Sequence, residues 1–246
     1  MNSAALRKDG RPLDSPAPQP QDAVLAYSIR GNVYLNITNL CTLACTFCPK
    51  FTDWMVHDYF LKLGRVEISA ECVVAAARLA TKNGRASRDQ AEQALSRGEA
   101  IGGDLSSLGE VVFVGYGEPT RELQLLLRSA QLLREAGARR LRLDTDGLAN
   151  LREGRDVTAE LGAHFEAVSI SINAHNPEVY LRHCPNRYGE QAWYACQDFI
   201  RAARKHFEYV QASVVGMPDV DREACRQLVE DELGVRFRYR EFGGVG

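Results

Sequence analysis

The sequence predicts an α/β fold, a partial (β/α)6 TIM-like barrel built on an open, parallel, six-stranded sheet. Three observations support this: six short apolar segments have strand character, helical segments separate them, and the run 111–114 is apolar without interruption. Such a run is typical of a strand buried on both faces of a parallel sheet. Six units are too few for a closed eight-unit barrel, so we expect an open barrel, with a flat doubly wound sheet as the alternative.

The predicted strands follow one another at regular intervals. In the first, Val33, Leu35 and Ile37 alternate with polar residues, which is the two-residue period of a strand. The same reasoning predicts strands over 111–114, 141–143, 168–172, 210–214 and 235–239.

The helices between these strands carry recognisable end signals. Ser69 can cap a helix that ends at Gly84, and Ser87 with Gln90 forms a capping box for a second helix reaching about Gly98. Helical spacing predicts further helices over 123–136, 156–163, 177–183, 188–205 and 221–232.

Composition bounds the class of protein. The 246 residues carry 30 Lys and Arg against 32 Asp and Glu, a net charge of −2, which gives no reason to expect tight non-specific nucleic-acid binding. The polar, proline-containing residues 1–27 predict a flexible N-terminal tail, and 28–246 a single folded domain. No stretch has the length of a membrane span, and the start does not resemble a secretory signal, so we expect a cytoplasmic protein without membrane contact.

Three of the seven cysteines cluster, as Cys41, Cys45 and Cys48, directly after the first strand. Thiolates suit zinc or an iron–sulfur cluster, but a closed site of either kind usually has four protein ligands. A fourth ligand, such as His57 or a distant cysteine, does not stand at ligand spacing. Three ligands leave one metal position open, which is typical of catalytic metals; three plain buried cysteines remain the structural alternative.

A glycine-rich turn, 115–120, follows the second strand and ends in Glu118, Pro119 and Thr120. Glycine permits close approach of the backbone to a ligand, and a carboxylate at a strand end can accept hydrogen bonds from an ammonium group. A plain βα turn with an exposed glutamate is the alternative. On the fourth strand Ser169, Ser171 and Asn173 share one face, which indicates a polar lumen or a solvent-facing surface.

Together these motifs resemble the radical S-adenosylmethionine (SAM) superfamily, which has Cys-x3-Cys-x2-Cys with an aromatic residue, here Phe47, before the last cysteine. The resemblance implies that Cys41, Cys45 and Cys48 hold a [4Fe–4S] cluster whose open iron binds SAM. One electron then cleaves SAM to a 5′-deoxyadenosyl radical, which abstracts hydrogen from a substrate. The implied cofactor-binding residues are Phe47, Gly115, Gly117, Glu118, Pro119, Thr145, Ser171, Asn173 and Gly216.

Within the superfamily, the chain resembles the TatD-associated branch of radical SAM proteins. This resemblance rests on the segments 34–39, 144–150 and 169–174 and on the pair Cys184-Pro185. It covers about residues 28–246. That branch often has Asn where this chain has Asp144. Membership implies a functional link to a TatD-type nuclease and a one-electron donor such as a flavodoxin or ferredoxin. It identifies neither a substrate nor catalytic residues beyond the cofactor site.

Several other residues have open interpretations. Cys184 is either a buried loop thiol or a substrate contact at the barrel mouth. The arginine stripes 139–142 and 236–240 either bind phosphates or pair with neighbouring acids on an outer face. A non-catalytic iron–sulfur protein and a zinc-stabilised nucleic-acid-binding domain are the rival functions.

Overall fold

The computed structural model describes residues 18–98 and 100–243. Its strands are β1 (Val24–Ile29), β2 (Asn32–Leu35), β3 (Met55–Val56), β4 (Tyr59–Phe60), β5 (Arg85–Ser87), β6 (Val111–Phe113), β7 (Leu141–Thr145), β8 (Ala167–Ser171), β9 (Tyr209–Gly216) and β10 (Arg236–Glu241). The order β10-β9-β8-β7-β6-β2-β1-β5 makes one sheet, and β3 pairs with β4 in a small hairpin.

Six strands run parallel, and each pairs with the next one along the chain: β2, β6, β7, β8, β9 and β10. The order is linear, so the sheet has two edges and does not close. This confirms the predicted open, parallel, six-stranded α/β fold, and a partial barrel is consistent with it.

The edge beyond β2 differs from the prediction. There β1 pairs antiparallel with β2, and β5 pairs antiparallel with β1, so the sheet has eight strands. The predicted tail 1–27 therefore overlaps β1, in which Leu25 and Ala26 are fully buried. Residues 1–17 of that tail lie outside the described residues. The residues before Ala23 are polar, so the sequence pattern did not reveal β1. This strand depends on pairing with β2 rather than on its own sequence pattern.

The helices are α1 (Ala70–Asn83), α2 (Arg88–Ser96), α3 (Leu123–Glu135), α4 (Ala149–Glu153), α5 (Thr158–Gly162), α6 (Pro177–His183), α7 (Gln191–Ala203) and α8 (Arg222–Arg226), with a π-helix following at Gln227–Glu232. The predicted caps are confirmed: Ser69 accepts from the Cys72 amide at 3.1 Å, and Ser87 and Gln90 form a capping box. The short α4 was not predicted.

Alternation along the strands separates two faces of the sheet. On β7, Leu141 and Leu143 are fully buried in the main core, whereas Arg142 and Asp144 point to the opposite face. On β8, Val168 is likewise buried in the core. The face opposite the core, called the inner face below, is polar and carries the candidate ligand-binding residues.

Among the described residues, no helix combines the length and apolar character needed to cross a membrane.

Candidate functional site

The loops after β2 and β6 pack against each other. The Glu118 amide donates to the Leu40 carbonyl at 2.8 Å, which joins the glycine-rich turn to the start of the cysteine loop. A Cβ on Gly117 would lie 2.2 Å from the carbonyl oxygen of Thr38, and one on Gly115 would lie 2.4 Å from Asn36 Oδ1. Both glycines are therefore required for this close approach, and the two strongest sequence motifs form one site.

The cysteine loop is also fastened to the segment that follows α6. The Ala44 amide donates to the Pro185 carbonyl at 2.8 Å, and the Thr46 amide donates to the His183 carbonyl at 2.9 Å. On the far side His183 Nε2 contacts the Asp219 carboxylate, from the loop after β9. The loop is thus held by groups that follow β6 and β8, and Asp219, after β9, holds His183 in turn.

Cys41, Cys45 and Cys48 are all half-buried, free thiols. Burial, helped by the Asp146 charge, raises the pKa of Cys41 to about 12. The pKa of Cys45 is raised by its hydrogen bond to Cys184 and by burial, and the pKa of Cys48 by burial. These thiols are protonated in the metal-free protein, so metal binding here displaces protons.

The donor set fits an iron–sulfur cluster in chemical type. Within residues 18–98 and 100–243, no three His, Cys, Asp or Glu side chains converge as a single ion requires. Each thiolate of a cluster binds a different iron, so a cluster holds its ligands further apart than one zinc ion does. Three soft thiol donors on one loop are ligands of the type that iron–sulfur clusters use.

Glu118 is buried and already accepts four hydrogen bonds. Its Oε1 accepts from the Thr120 amide at 3.0 Å, from Thr120 Oγ1 at 2.8 Å and from Thr145 Oγ1 at 2.8 Å. Its Oε2 accepts from the Asp146 amide at 2.7 Å. Since Oε1 accepts three hydrogen bonds and the described residues give Oε2 one backbone donor, Oε2 can accept a further bond from a ligand.

Asp146 lies beside Glu118 as a second buried carboxyl group. Its Oδ1 accepts from the Leu148 amide at 2.9 Å, whereas Oδ2 has no hydrogen-bond partner among the described residues. Burial and the Glu118 charge both raise the pKa of Asp146. Asp146 lies in the segment 144–150 but is not among the binding residues that the resemblance implies, because neighbouring strand ends reveal such a pair only after the sheet is assembled.

Thr145, Ser171 and Asn173 lie at the carboxyl ends of β7 and β8. The cysteine loop lies at the same end of the strands. The Thr145 hydroxyl group already donates a hydrogen bond to Glu118 Oε1. Asn173 has φ 57°, and its Nδ2 donates to Cys184 Sγ at 3.6 Å, while its Oδ1 is buried with no partner in the part of the chain that the structure describes. The orphaned Oδ1 can accept a hydrogen bond from a ligand.

The remaining predicted residues occupy different positions. Phe47 is half-buried and packs against the main core, and Pro119 begins the short 3-10 helix that follows Glu118. A Cβ on Gly216 would lie 2.0 Å from the Tyr239 hydroxyl oxygen, so packing of β10 explains this glycine without any ligand. His57, on the β3–β4 turn, has φ 50°.

The structure brings Cys184 to the site, which sequence reasoning left undecided. Its Sγ lies 3.6 Å from Cys45 Sγ, and its side chain is fully buried. The only sequence signal was the position of His183-Cys184-Pro185 after the fourth strand.

Comparison with known proteins identifies the relatives of this chain. The family model described as the Radical SAM superfamily matches residues 35–231, which is more than half of the chain. No curated protein matches the sequence significantly.

Similar solved structures include Streptococcus suis SuiB bound to the precursor peptide SuiA, with 16% identity and a TM-score of 0.53 over 84% of this chain and 38% of that one. A radical SAM methyltransferase from Sphaerobacter thermophilus has 19% identity and a TM-score of 0.52, over 88% and 57% respectively. Native anSMEcpe with bound AdoMet has 15% identity and a TM-score of 0.51, over 85% and 50%. These similarities show the fold, and this chain spans well under two thirds of each of these proteins.

Proposed function

The chain belongs to the radical SAM superfamily of enzymes, and on this premise we propose that it reductively cleaves SAM at a [4Fe–4S] cluster and abstracts hydrogen from a substrate. The observation that carries the proposal is the junction of two motifs: the Glu118 amide donates to the Leu40 carbonyl at 2.8 Å. This bond holds the carboxylate proposed to grip SAM against the loop that bears the three thiols.

Cys41, Cys45 and Cys48 are the proposed ligands of the cluster. Its fourth iron, when bound, supplies an open coordination position and the electron for SAM cleavage. The chain's own part is to hold the loop rigid through the bonds of Ala44 and Thr46 to the segment after α6. Lys50 Nζ donates to the Leu43 carbonyl at 3.0 Å and places a positive charge near the thiols.

Glu118 is the proposed acceptor for the ammonium group of SAM, through Oε2. The four donors to its carboxylate fix its orientation before a ligand arrives, which lowers the entropy cost of binding. Gly115, Gly117 and Pro119 shape this turn. Phe47, Thr145, Ser171, Asn173 and Gly216 complete the proposed SAM pocket, with Gly216 the least supported because Tyr239 accounts for it.

We assign the chain to the TatD-associated branch on the motifs 34–39, 144–150 and 169–174. That assignment carries a proposed link to a TatD-type nuclease. A one-electron donor such as a flavodoxin or ferredoxin is required to reduce the cluster. A structural neighbour crystallised with AdoMet supports SAM as the ligand.

One observation favours a second candidate function. Cys184 Sγ lies 3.6 Å from Cys45 Sγ, so a fourth thiol is present at the cluster loop. If Cys184 occupied the fourth iron, SAM could not bind there, and the chain would be an iron–sulfur electron carrier or sensor.

Anaerobic reconstitution with iron and sulfide, followed by dithionite and SAM, tests the proposal. We expect 5′-deoxyadenosine from the wild type and neither cluster nor product from Cys45→Ala. Cys225→Ala is the matched control, since Cys225 is equally a free cysteine but lies on α8 outside the loop. A wild-type cluster that never cleaves SAM would support the carrier, and product from Cys45→Ala would contradict the ligand assignment.

A further inference from the structure

Arginines occupy the inner face of the sheet beside the candidate site. On β7 the side chain of Arg142 lies opposite the buried Leu141 and Leu143 and so projects from the inner face. Its Nε lies 3.0 Å from Asp144 Oδ1, and its Nη1 lies 3.1 Å from Glu110 Oε2.

Three further arginines on β10 share that face, of which Arg236 is exposed and lies over the Tyr209 ring. Arg238 is the register partner of Ser213 on β9, and Arg240 is the partner of Val215. Ser213 is in turn the partner of Ser171 on β8. Neighbouring partners in a parallel sheet point to the same side, so these arginines project from the same face as the serines of β8. We call Arg142, Arg238 and Arg240 the arginine face.

Asp144, on β7, is influenced by the charges of all three arginines of the arginine face. Burial raises the pKa of Asp144, and the charges of Arg142, Arg238 and Arg240 oppose that rise. Burial lowers the pKa of Arg240, while the Asp144 charge raises it. The charges of β7 and β10 therefore act on one another on the inner face of the sheet.

Positive charge on this face is not neutralised by the protein. Glu110 and Asp144 face three guanidinium groups, and Glu110 is shared with Arg140, whose Nε lies 2.9 Å from Glu110 Oε1. Among residues 18–98 and 100–243, Arg238 and Arg240 make no hydrogen bond and no ion pair. The Nε of Arg240 is closed off from solvent with no acceptor. Arg142 pairs with Glu110 and Asp144, whereas Arg238 and Arg240 have no carboxylate within ion-pair distance in the described ranges, so the two positive charges of Arg238 and Arg240 are left without a partner there.

We propose that the arginine face binds a phosphate group of the substrate. A phosphate dianion matches these two positive charges, and guanidinium groups present planar, paired donors that fit phosphate oxygens. A buried donor without an acceptor is costly unless a ligand supplies one. The inference rests on the proposed function, since it places a substrate beside the site where SAM would be cleaved. SAM itself carries no phosphate.

Titration of the purified full-length chain with inorganic phosphate, followed by 31P relaxation, tests the inference. We compare the wild type with the Arg238→Gln/Arg240→Gln double variant, with each single variant and with Arg226→Gln. Arg226 is the matched control, because it lies on α8 and pairs with Glu223 and Glu230. We expect phosphate affinity to fall at least tenfold in the double variant, by less in each single variant, and to be unchanged in Arg226→Gln.

Further measurements identify what the arginines bind. Succinate tests a carboxylate ligand, and tighter binding of succinate than phosphate would overturn the phosphate assignment. SAM affinity of the same samples should remain within twofold of the wild type; a tenfold loss would assign the arginines to SAM instead. Absence of phosphate binding by the wild type, or an equal loss in Arg226→Gln, would also overturn the inference.

The proposed function and the proposed phosphate site can be refuted independently of each other. Samples are reconstituted and assayed for reductive SAM cleavage beside the phosphate titration. SAM cleavage without phosphate binding would remove the phosphate site and leave the proposed function intact. Phosphate binding with the expected arginine dependence, but without SAM cleavage, would leave the anion site and refute the proposed function. Circular dichroism of each variant shows whether it folds, and the single variants serve if the double variant does not.

Discussion

The sulfur atoms of Cys45 and Cys184 lie 3.6 Å apart, although the two residues are 139 positions apart in the chain. Cys184 also accepts from Asn173 Nδ2 at 3.6 Å. A residue after the fourth parallel strand is thereby joined to the loop after the first. This contact is the point at which the catalytic and the non-catalytic interpretations of the cysteine loop differ.

We predict that Cys184→Ser retains the iron content of the wild type after reconstitution, because the three loop cysteines are the proposed ligands. Cys45→Ser should lose its iron. Iron and sulfide determination on both variants, with the visible absorption of the cluster, checks this. Loss of iron from Cys184→Ser to the level of Cys45→Ser would identify a fourth ligand and support the electron carrier.

Gly117→Ala should destabilise the chain by about 1–3 kcal/mol, the usual cost of overpacking. Its Cβ would lie 2.2 Å from the Thr38 carbonyl oxygen and 2.8 Å from that of Leu40, and backbone atoms cannot move aside easily. Urea unfolding of Gly117→Ala is compared with Gly102→Ala, since nothing lies within 4 Å of a Cβ at Gly102. Equal stability of the two variants would show that the loops after β2 and β6 do not pack this closely.

Gly216→Ala should be destabilising by a similar amount, about 1–3 kcal/mol, because its Cβ would collide with the Tyr239 ring. Tyr239 also stacks on Arg222, whose guanidinium lies 4.6 Å from the ring centroid. If packing is the reason for the glycine, Tyr239→Ala should relieve most of the Gly216→Ala penalty in a double-mutant cycle. Additive losses would point instead to a role of Gly216 in ligand binding.

Stability should depend on pH through Glu166, on β8's N-terminal side. Partial burial raises the pKa of Glu166, but hydrogen bonds from Arg134 and from the Leu141 amide, the latter at 2.8 Å, outweigh it and hold that pKa below 4.5. A lowered carboxyl pKa contributes stability that is present above the unfolded pKa, about 4.5, and lost as the pH falls through the folded value.

Glu166→Gln should therefore lower the free energy of unfolding by about 0.5–1 kcal/mol at pH 7, and by progressively less below pH 4.5. Urea unfolding at several pH values measures the difference. Glu178→Gln is the control, because Glu178 pairs with Arg182 on the solvent-exposed side of α6, where an ion pair contributes little to stability. A constant penalty for Glu166→Gln at all pH values would exclude the ion pair as its cause.

Local patterns predicted most of the regular structure. The caps at Ser69 and Ser87 and the six parallel strands depend on residues within about four positions of one another, so they are readable without knowing the fold. The strand β1 was not readable, because its stability comes from pairing with β2 and β5 at the sheet edge.

The sequence alone determines that this protein has an α/β fold. It also places a three-cysteine loop and a Gly-Tyr-Gly-Glu turn at the ends of two neighbouring strands. Only the tertiary structure decided which groups meet there: Asp146 beside Glu118, and Cys184 against Cys45. Those contacts join residues from separate strands, and their distances follow from sheet register and from the loops that close over it. Burial then sets the charge and pairing of each group, which no local sequence pattern encodes.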